Sequence, residues 1–469
     1  MADSPAQTAA NAQTVLACMI DSSTVHQALT AEQTLTRAAA FIRICRKMQT
    51  PFPLHWQRFP WRDGNRFTLL ADGEIFFPAM LADIAAARHF VLLEMYLLAS
   101  GRVADSFISA FEAAIARGVD VFVLADDFGA RGLNQVDRNR LHQAGAHLAF
   151  YNPLHYGKWR RNFWRDHRKL LVVDGEIAYT GGTGITDDFV PRPPYSSTFP
   201  LLAATPPWHD VMLRVQGPCV ADWQNAFAQV WKHTRDGRHS PQSPPVQPGL
   251  RQGRVFGRQG AKAAATGRAA THKCCTAGEQ QPGLGRVVLN NPVRMEIKRS
   301  LLNRLRNSQR RAWIATAYFI PSWKLRRALY QAARRGCDVR LLLPGPHTDH
   351  PSVRHVGRRY YHKLLAAGVR IFEYQPRFLH AKTLLIDNWV SIGSSNIDRW
   401  NFRWSLEANQ EASDPALKDQ LAGLFEQNFA ASREILADQW HHRPWYQRLP
   451  ERFWGTLELW LERFNQRQP

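Results

Sequence analysis

Between residues 89 and 153 the apolar and polar positions follow two alternating rhythms. His89-Phe90-Val91-Leu92-Leu93-Glu94-Met95-Tyr96 is a short, almost continuous apolar run, the pattern of a strand covered on both faces. From Val103 to Ala116 the apolar residues recur three and four apart, which predicts an amphipathic helix. Arg117-Gly118-Val119-Asp120-Val121 then opens a second apolar run ending at Leu124. The succession returns in the other half of the chain. Arg311-Ala312-Trp313-Ile314-Ala315-Thr316-Ala317-Tyr318 is followed by a helical stretch from Ser322 to Ala333. Arg335-Gly336-Cys337-Asp338-Val339 and a run to Leu343 complete it. The segment Ala144 to Pro153 likewise has a counterpart in Ala367 to Pro376. Strand-helix-strand units in duplicate predict an α/β protein of two pseudo-symmetric lobes, each a mixed sheet flanked by helices.

Composition shifts set the boundaries. Residues 1–61 are rich in Ala and Thr, weakly helical only from Ala31 to Met48, and read as a poorly ordered N-terminal extension. Lobe one then spans 62–235 and lobe two 286–435. Residues 236–285 are rich in Pro, Gly, Gln and Arg and read as a basic linker. Residues 436–469 form an aromatic C-terminal segment. In it Phe453, Trp454, Leu457, Trp460, Leu461 and Phe464 make a helical stripe that suits either core packing or docking on a membrane surface.

The 469 residues carry 60 basic against 39 acidic side chains, a net charge of +21. That excess calls for a polyanionic partner, nucleic acid or an anionic membrane. No apolar run reaches the ~18 residues of a membrane span. The first basic residue is Arg37, so the N-terminus does not read as a signal peptide. The six cysteines are scattered without C-x-x-C spacing and read as unpaired thiols in a reducing compartment.

Lysine is scarce, 11 residues against 49 arginines, and two lysines fall in one repeated motif. Lobe one has His167-Arg168-Lys169-Leu170-Leu171-Val172-Val173-Asp174, and lobe two has His380-Ala381-Lys382-Thr383-Leu384-Leu385-Ile386-Asp387. Both are H-x-K-x-x-x-x-D. On an extended strand, residues two apart share a face, so each histidine projects with its lysine. An imidazole beside an ammonium suits attack at phosphorus, the cation holding a non-bridging oxygen. Two facing pairs supply a nucleophile and a proton donor for the leaving oxygen. Gly393-Ser394-Ser395-Asn396 follows the second motif and offers donors to phosphate oxygens; Gly181-Gly182-Thr183-Gly184 stands in the matching place after the first. A histidine nucleophile needs an acceptor on its other ring nitrogen, and Asp210 and Glu407 are the candidates.

These motifs resemble the phospholipase D superfamily. Together with Thr348-Asp349-His350, Asn396-Ile397-Asp398, Glu407-Ala408-Asn409 and Trp208-His209-Asp210, they resemble its bacterial cardiolipin synthase branch over residues 62–450. The resemblance implies a phosphatidyl transferase that passes a phosphatidyl group through a covalent phosphohistidine to phosphatidylglycerol, without a metal or other cofactor. His167 and His380 would be the nucleophile and acid-base pair, His167 attacking. Lys169, Lys382, Asn396 and Ser394 would bind phosphate, and Asp210 and Glu407 would orient the histidines. Asp174 and Asp387 would be structural or secondary acid-base members of the catalytic set. The implied partners are phospholipids on an anionic membrane surface, not nucleic acid. The implied location is peripheral, on the cytoplasmic face of the bacterial inner membrane. Hydrolysis by the same centre, a nuclease activity, and a non-catalytic membrane-binding role are the alternatives. The chain departs from the family pattern in two places. Gly184 stands where the family has Asn, leaving Thr183 or Thr186 to supply the donor. Asp387 to Gly393 is one residue shorter than Asp174 to Gly181.

The eleven residues His155 to Arg165, just before the first motif, interleave basic and aromatic side chains and suit a headgroup interface, stacking on single-stranded nucleic acid, or a loop packed on the lobe. Residues 191–207 carry six prolines and read as a stiff lid or a plain surface loop.

Overall fold

The apolar runs become strands, and the strands of both lobes join in one sheet. The computed structural model describes residues 58–191, 206–234, 283–291, 294–451 and 453–456, except the side chains of 158–161. Lobe one contains β1 (Arg62–Ala71), β2 (Phe90–Met95), β3 (Asp120–Asp126), β4 (His147–Tyr151), β5 (Arg165–Asp166), β6 (Lys169–Val173), β7 (Ile177–Gly181) and β8 (Val211–Gln216). Its helices are α1 (Gly73–Ala86), α2 (Arg102–Ala116), α3 (Gln135–Ala144) and α4 (Cys219–Thr234). Lobe two contains β9 (Gly283–Asn290), β10 (Arg311–Ala315), β11 (Phe319–Ile320), β12 (Asp338–Pro344), β13 (Arg370–Tyr374), β14 (Thr383–Ile386), β15 (Trp389–Gly393), β16 (Ile397–Asp398), β17 (Ser405–Ser413) and β18 (Ser432–Glu434). Its helices are α5 (Glu296–Asn307), α6 (Trp323–Arg334), α7 (Pro351–Arg358), α8 (Tyr361–Leu365), α9 (Arg399–Trp404), α10 (Pro415–Ala430) and α11 (Ala437–His441).

The strand order is β1-β8-β7-β6-β2-β3-β4 in lobe one and β9-β17-β15-β14-β10-β12-β13 in lobe two, where β18 adds an edge. The two series correspond strand for strand and meet at the antiparallel pair β1–β9, as a pseudo-two-fold axis there requires. Asn65 closes the seam. Its amide donates to Arg62 O (2.8 Å) and Gly283 O (3.3 Å), and its carbonyl accepts from Cys219 N (2.9 Å).

Strand β9 starts at Gly283, inside the stretch whose glycines suggested a linker. At Gly285 a Cβ would come within 3.0 Å of the Phe67 ring, Gln410 and Cys219 Sγ. This glycine is there for packing across the seam, not for chain freedom. Residues 236–282 lie outside the described residues.

One face of the sheet buries α4 and α10 in a core that draws on both lobes, with Trp223, Phe227 and Trp231 beside Leu385, Ile392 and Phe425. Each lobe by itself would leave large apolar surface of this shared core bare. Helices α1 and α2 cover the other face in lobe one, and α5 and α6 do so in lobe two. Cys219 and Cys337 are buried free thiols. No helix among the described residues is long and apolar enough to cross a membrane.

Candidate active site

Both motifs enter the sheet by the same device. Lys169 opens β6 and Lys382 immediately precedes β14; the histidines lie two residues earlier, on the approach to each strand. Neighbouring backbone comes from the opposite lobe. His167 N donates to Leu406 O (3.0 Å), and His380 N donates to His209 O (2.8 Å). Leu406 and His209 are the residues just before Glu407 and Asp210. Each histidine is thereby placed against the carboxylate of the other lobe.

His380 Nδ1 lies 2.6 Å from Asp210 Oδ2, and His167 Nδ1 lies 3.0 Å from Glu407 Oε1. The first contact is a hydrogen bond, while the second falls outside hydrogen-bond angles. Each carboxylate follows its own lobe's motif in sequence yet serves the other lobe's histidine. A second clasp holds the crossing together. His209 binds Asp72 (2.7 Å) and Asn428 (3.1 Å), and Arg377 of lobe two donates to Asp72 (2.6 Å).

A cleft of about 460 Å³ opens between the lobes over these groups, lined by His167, Lys169 and His380. Tyr96, Phe163, Trp208, Tyr318, Trp400 and Trp404 give it aromatic walls, and Arg165, Asp349 and His350 add charge and polarity. His167 packs on the Tyr96 ring at 4.6 Å, and His380 on Trp208 at 5.2 Å. Tyr318 donates its hydroxyl to Asp349. Lys169 Nζ donates to His167 O (2.7 Å). Lys382 does not line the cleft; it donates to His380 O and its Nζ lies 3.0 Å from His380 Nδ1, behind the ring.

Burial dominates the ionisation of this cluster. It drives His167 well below the ordinary imidazole range, helped by the positive charges of Lys169 and Lys382. It takes His380 down to about 4, again with Lys382 assisting and Asp210 opposing. Lys169 falls to about 7 and Lys382 to about 8 through the same desolvation. The carboxylates diverge. Burial pushes Glu407 up to about 8 against the pull of Lys169. At Asp210 burial also works upward, but Lys382 and His380 outweigh it and hold the group below its ordinary value.

The remaining sequence candidates separate in space. Asp174 accepts from the backbone N–H groups of Arg88, His89 and Phe90 at 2.8, 2.8 and 2.9 Å. Asp387 does the same for Gln309, Arg310 and Arg311 at 3.0, 2.9 and 3.1 Å. Of the structural and acid-base roles open to them, the geometry favours the structural one: each sits at the hairpin end of its strand, about 16 Å of extended chain from the motif lysine. Each carboxylate is occupied in starting the neighbouring strand. The missing residue of the second motif lies in these hairpins as well. Three residues, Asp174-Gly175-Glu176, connect β6 to β7, while two, Asp387-Asn388, connect β14 to β15. Loop geometry at the cleft is untouched by it.

Ser394 donates its hydroxyl to Glu407 and accepts from Ala408 N (3.0 Å), so it holds the carboxylate rather than facing a phosphate. Asn396 is fully buried. Its Oδ1 accepts from Thr316 Oγ1 and Tyr318 N, both 3.3 Å, and its Nδ2 has no partner. In lobe one a Cβ on Gly184 would lie 2.6 Å from Leu97 Cβ and 2.7 Å from its carbonyl, so an asparagine does not fit there. Neither threonine replaces it: Thr183 bonds Gly184 O (3.1 Å) and Thr186 bonds Asp188 (3.1 Å). Phe163 and Arg165 of the basic-aromatic insertion reach the cleft, the insertion forming a 3-10 helix from Tyr156 to Phe163. The side chains of 158–161 and residues 192–205 lie outside the described residues. Sequence reading passed over Trp400 and Trp404, although two tryptophans four apart just after Asn396-Ile397-Asp398 were a usable sign. No group of three His, Cys, Asp or Glu among the described residues is placed to share a metal ion.

A duplicated sheet that brings two motif histidines into one cleft, each with its lysine beside it, defines a phospholipase D-like enzyme. Comparisons with known proteins agree. The family model described as cardiolipin synthase, PLD-like domain, matches residues 80–190 and 301–429. Cardiolipin synthase B of Shigella flexneri is 31% identical over 408 residues, covering 85% of this chain and 86% of that protein. Cardiolipin synthase A of Pseudomonas entomophila (strain L48) is 31% identical over 387 residues, covering 81% and 72%. The crystal structure of phosphatidylserine synthase from Haemophilus influenzae Rd KW20 superposes with a TM-score of 0.59 at 12% identity, covering 86% of this chain and 95% of that one, which bears on the fold alone. The chain belongs to the cardiolipin synthase family of the phospholipase D superfamily, a family of phosphatidyltransferases.

Proposed function

We propose that the protein transfers a phosphatidyl group from one phospholipid to phosphatidylglycerol through a phosphohistidine on His167. The observation that carries this reading is the crossed pairing of two histidines, one beside an ionised Asp210 and one beside a Glu407 held toward its neutral form. His167, strongly disfavoured as a cation, offers a neutral ring nitrogen to phosphorus. The P–N bond forms as the bond to the headgroup oxygen breaks. Neutral before substrate binds, His380 takes up a proton when the anionic diester joins Asp210, at 2.6 Å, in favouring the imidazolium, and gives that proton to the leaving oxygen. Neutral again, His380 takes the proton of the acceptor hydroxyl, whose oxygen attacks phosphorus and releases His167. Lys169 on the cleft, with Lys382 and Asn396 Nδ2 behind it, stabilises the charge that grows on the non-bridging oxygens. The aromatic walls exclude water, which would otherwise divert the intermediate to hydrolysis.

The test is a vesicle assay with phosphatidylglycerol, lipid products being followed by mass spectrometry with a chelator present. Cardiolipin should form with the unmodified protein and not with His167→Ala or His380→Ala. Phosphatidic acid as the sole product would replace the transferase reading with a phospholipase one. Loss of activity in excess chelator would end the metal-free reading.

A further inference from the structure

Beside the cleft lies a second cavity of about 440 Å³ that the proposed chemistry does not use. Its walls include Arg326, Arg359, Lys363 and Arg399, with no carboxylate, and Trp323 stands at its edge 60% exposed. Arg326, Arg359 and Lys363 make no ion pair with any described carboxylate; Arg359 donates to the carbonyl of Gly455, and Arg326 stacks on an aromatic ring 4.4 Å away. Ser322 sits at the N-cap of α6 without capping it, and its buried hydroxyl has no partner. A hydroxyl, the positive end of a twelve-residue helix and four cations converge on one space, an arrangement suited to a phosphate oxygen.

The cavity is next to the catalytic cleft by construction. The short parallel pair β11–β16 forms the partition. Tyr318 on one side of it lines the cleft and Ser322 lines the cavity; Arg399 lines the cavity and Trp400, on the same helix, lines the cleft. The Arg359 bond also ties the segment carrying the exposed Phe453 and Trp454 to this face. Exposed tryptophan and phenylalanine around a cationic hollow suit the chemistry of a bilayer's headgroup layer.

We infer that this cavity binds the headgroup phosphodiester of an anionic phospholipid and so holds the catalytic cleft against the membrane surface. The inference builds on the phosphatidyl-transfer reading, and its test is separable from it. Binding is measured on the full-length protein carrying both His167→Ala and His380→Ala, which neither turns over nor forms an adduct, by co-sedimentation with phosphatidylcholine vesicles with and without phosphatidylglycerol. Adding Arg326→Ala and Lys363→Ala should weaken binding to the anionic vesicles about tenfold or more, at about 1 kcal/mol per cation lost. In the active background the same pair should raise KM for vesicle substrate by a similar factor while kcat changes less than about twofold. Unchanged binding and KM overturn the assignment. So does competition by inorganic phosphate alone, which would mark a free-phosphate site, and so does a loss of single-stranded DNA binding with vesicle binding intact. If no cardiolipin forms in the active background, the transferase reading fails while the binding arm still decides the cavity.

Discussion

Lobe one and lobe two share a strand order, a His-x-Lys entrance and a carboxylate at matching positions, yet the two half-sites are chemically unlike. Lobe one has Gly182 where lobe two has Ser394. A Cβ on Gly182 would lie 2.4 Å from Asp210 Oδ1, so the short carboxylate occupies the space of the missing side chain. In lobe two the serine is present and its hydroxyl holds the longer Glu407. Lobe one has Gly184 packed on Leu97, whereas lobe two has Asn396 with a buried free amide. Because the carboxylates cross over, the ionised Asp210 of lobe one serves His380, and the neutral-leaning Glu407 of lobe two serves His167. Duplication supplied a symmetric frame, and small substitutions at equivalent positions give the two histidines unlike surroundings.

The sharpest way to break this comparison is to remove one histidine at a time. Either alanine variant should lose about 10³-fold or more in kcat. Only His380→Ala, retaining His167, should accumulate a phosphatidyl adduct, seen by intact-protein mass spectrometry on His167. An adduct on His380 in His167→Ala would invert the roles. The carboxylates come next. Asp210→Asn should cost about 10²-fold in kcat, because an ionised group is lost from the proton donor. Glu407→Gln, replacing a group already leaning neutral, should cost about tenfold. Equal losses would mean that the two half-sites are electrostatically equivalent after all.

Making lobe two resemble lobe one sharpens the contrast further. Asn396→Gly should lower kcat about tenfold through the lost amide donor while leaving the fold intact by circular dichroism. The motif aspartates should behave in the opposite manner. Asp174→Ala and Asp387→Ala each strip the acceptor from three backbone N–H groups and should cost about 1–3 kcal/mol in stability, read as a fall in Tm. The kcat of whatever remains folded should be unchanged; a selective loss of kcat would restore these residues to the chemistry.

The smallest effect concerns pH. His380 is neutral in the folded protein down to about 4, while the unfolded chain takes up its proton near 6.5. Folding stability from this group is therefore full above pH 6.5 and declines as pH falls toward 4. Tm should drop across that window, and the His380→Ala variant should show a shallower drop. Identical slopes would remove His380 from the linkage.

Much of this molecule was legible before its structure. The duplicated strand-helix-strand rhythm marked both lobes, and two H-x-K motifs with few lysines elsewhere marked the chemistry. The errors were of specific kinds. Glycines at 283 and 285 looked like linker because a packing glycine and a flexible one are indistinguishable in composition. The motif aspartates stayed open between a structural and an acid-base role because spacing records proximity in sequence, whereas an extended strand carries its ends far apart. Trp400 and Trp404 were passed over because a short aromatic helix has meaning only once the cleft it borders exists.

The sequence by itself determined what depends on neighbouring residues: strand and helix periodicity, the shared face of each histidine and lysine, the turns and the duplication. It could not determine which carboxylate meets which histidine. Asp210 and His380 are 170 residues apart, and their meeting follows from the seam between β1 and β9 and from backbone bonds across the lobes. Nor could it set the ionisation of the cluster, because desolvation and the field of two lysines arise only when the lobes close over one another.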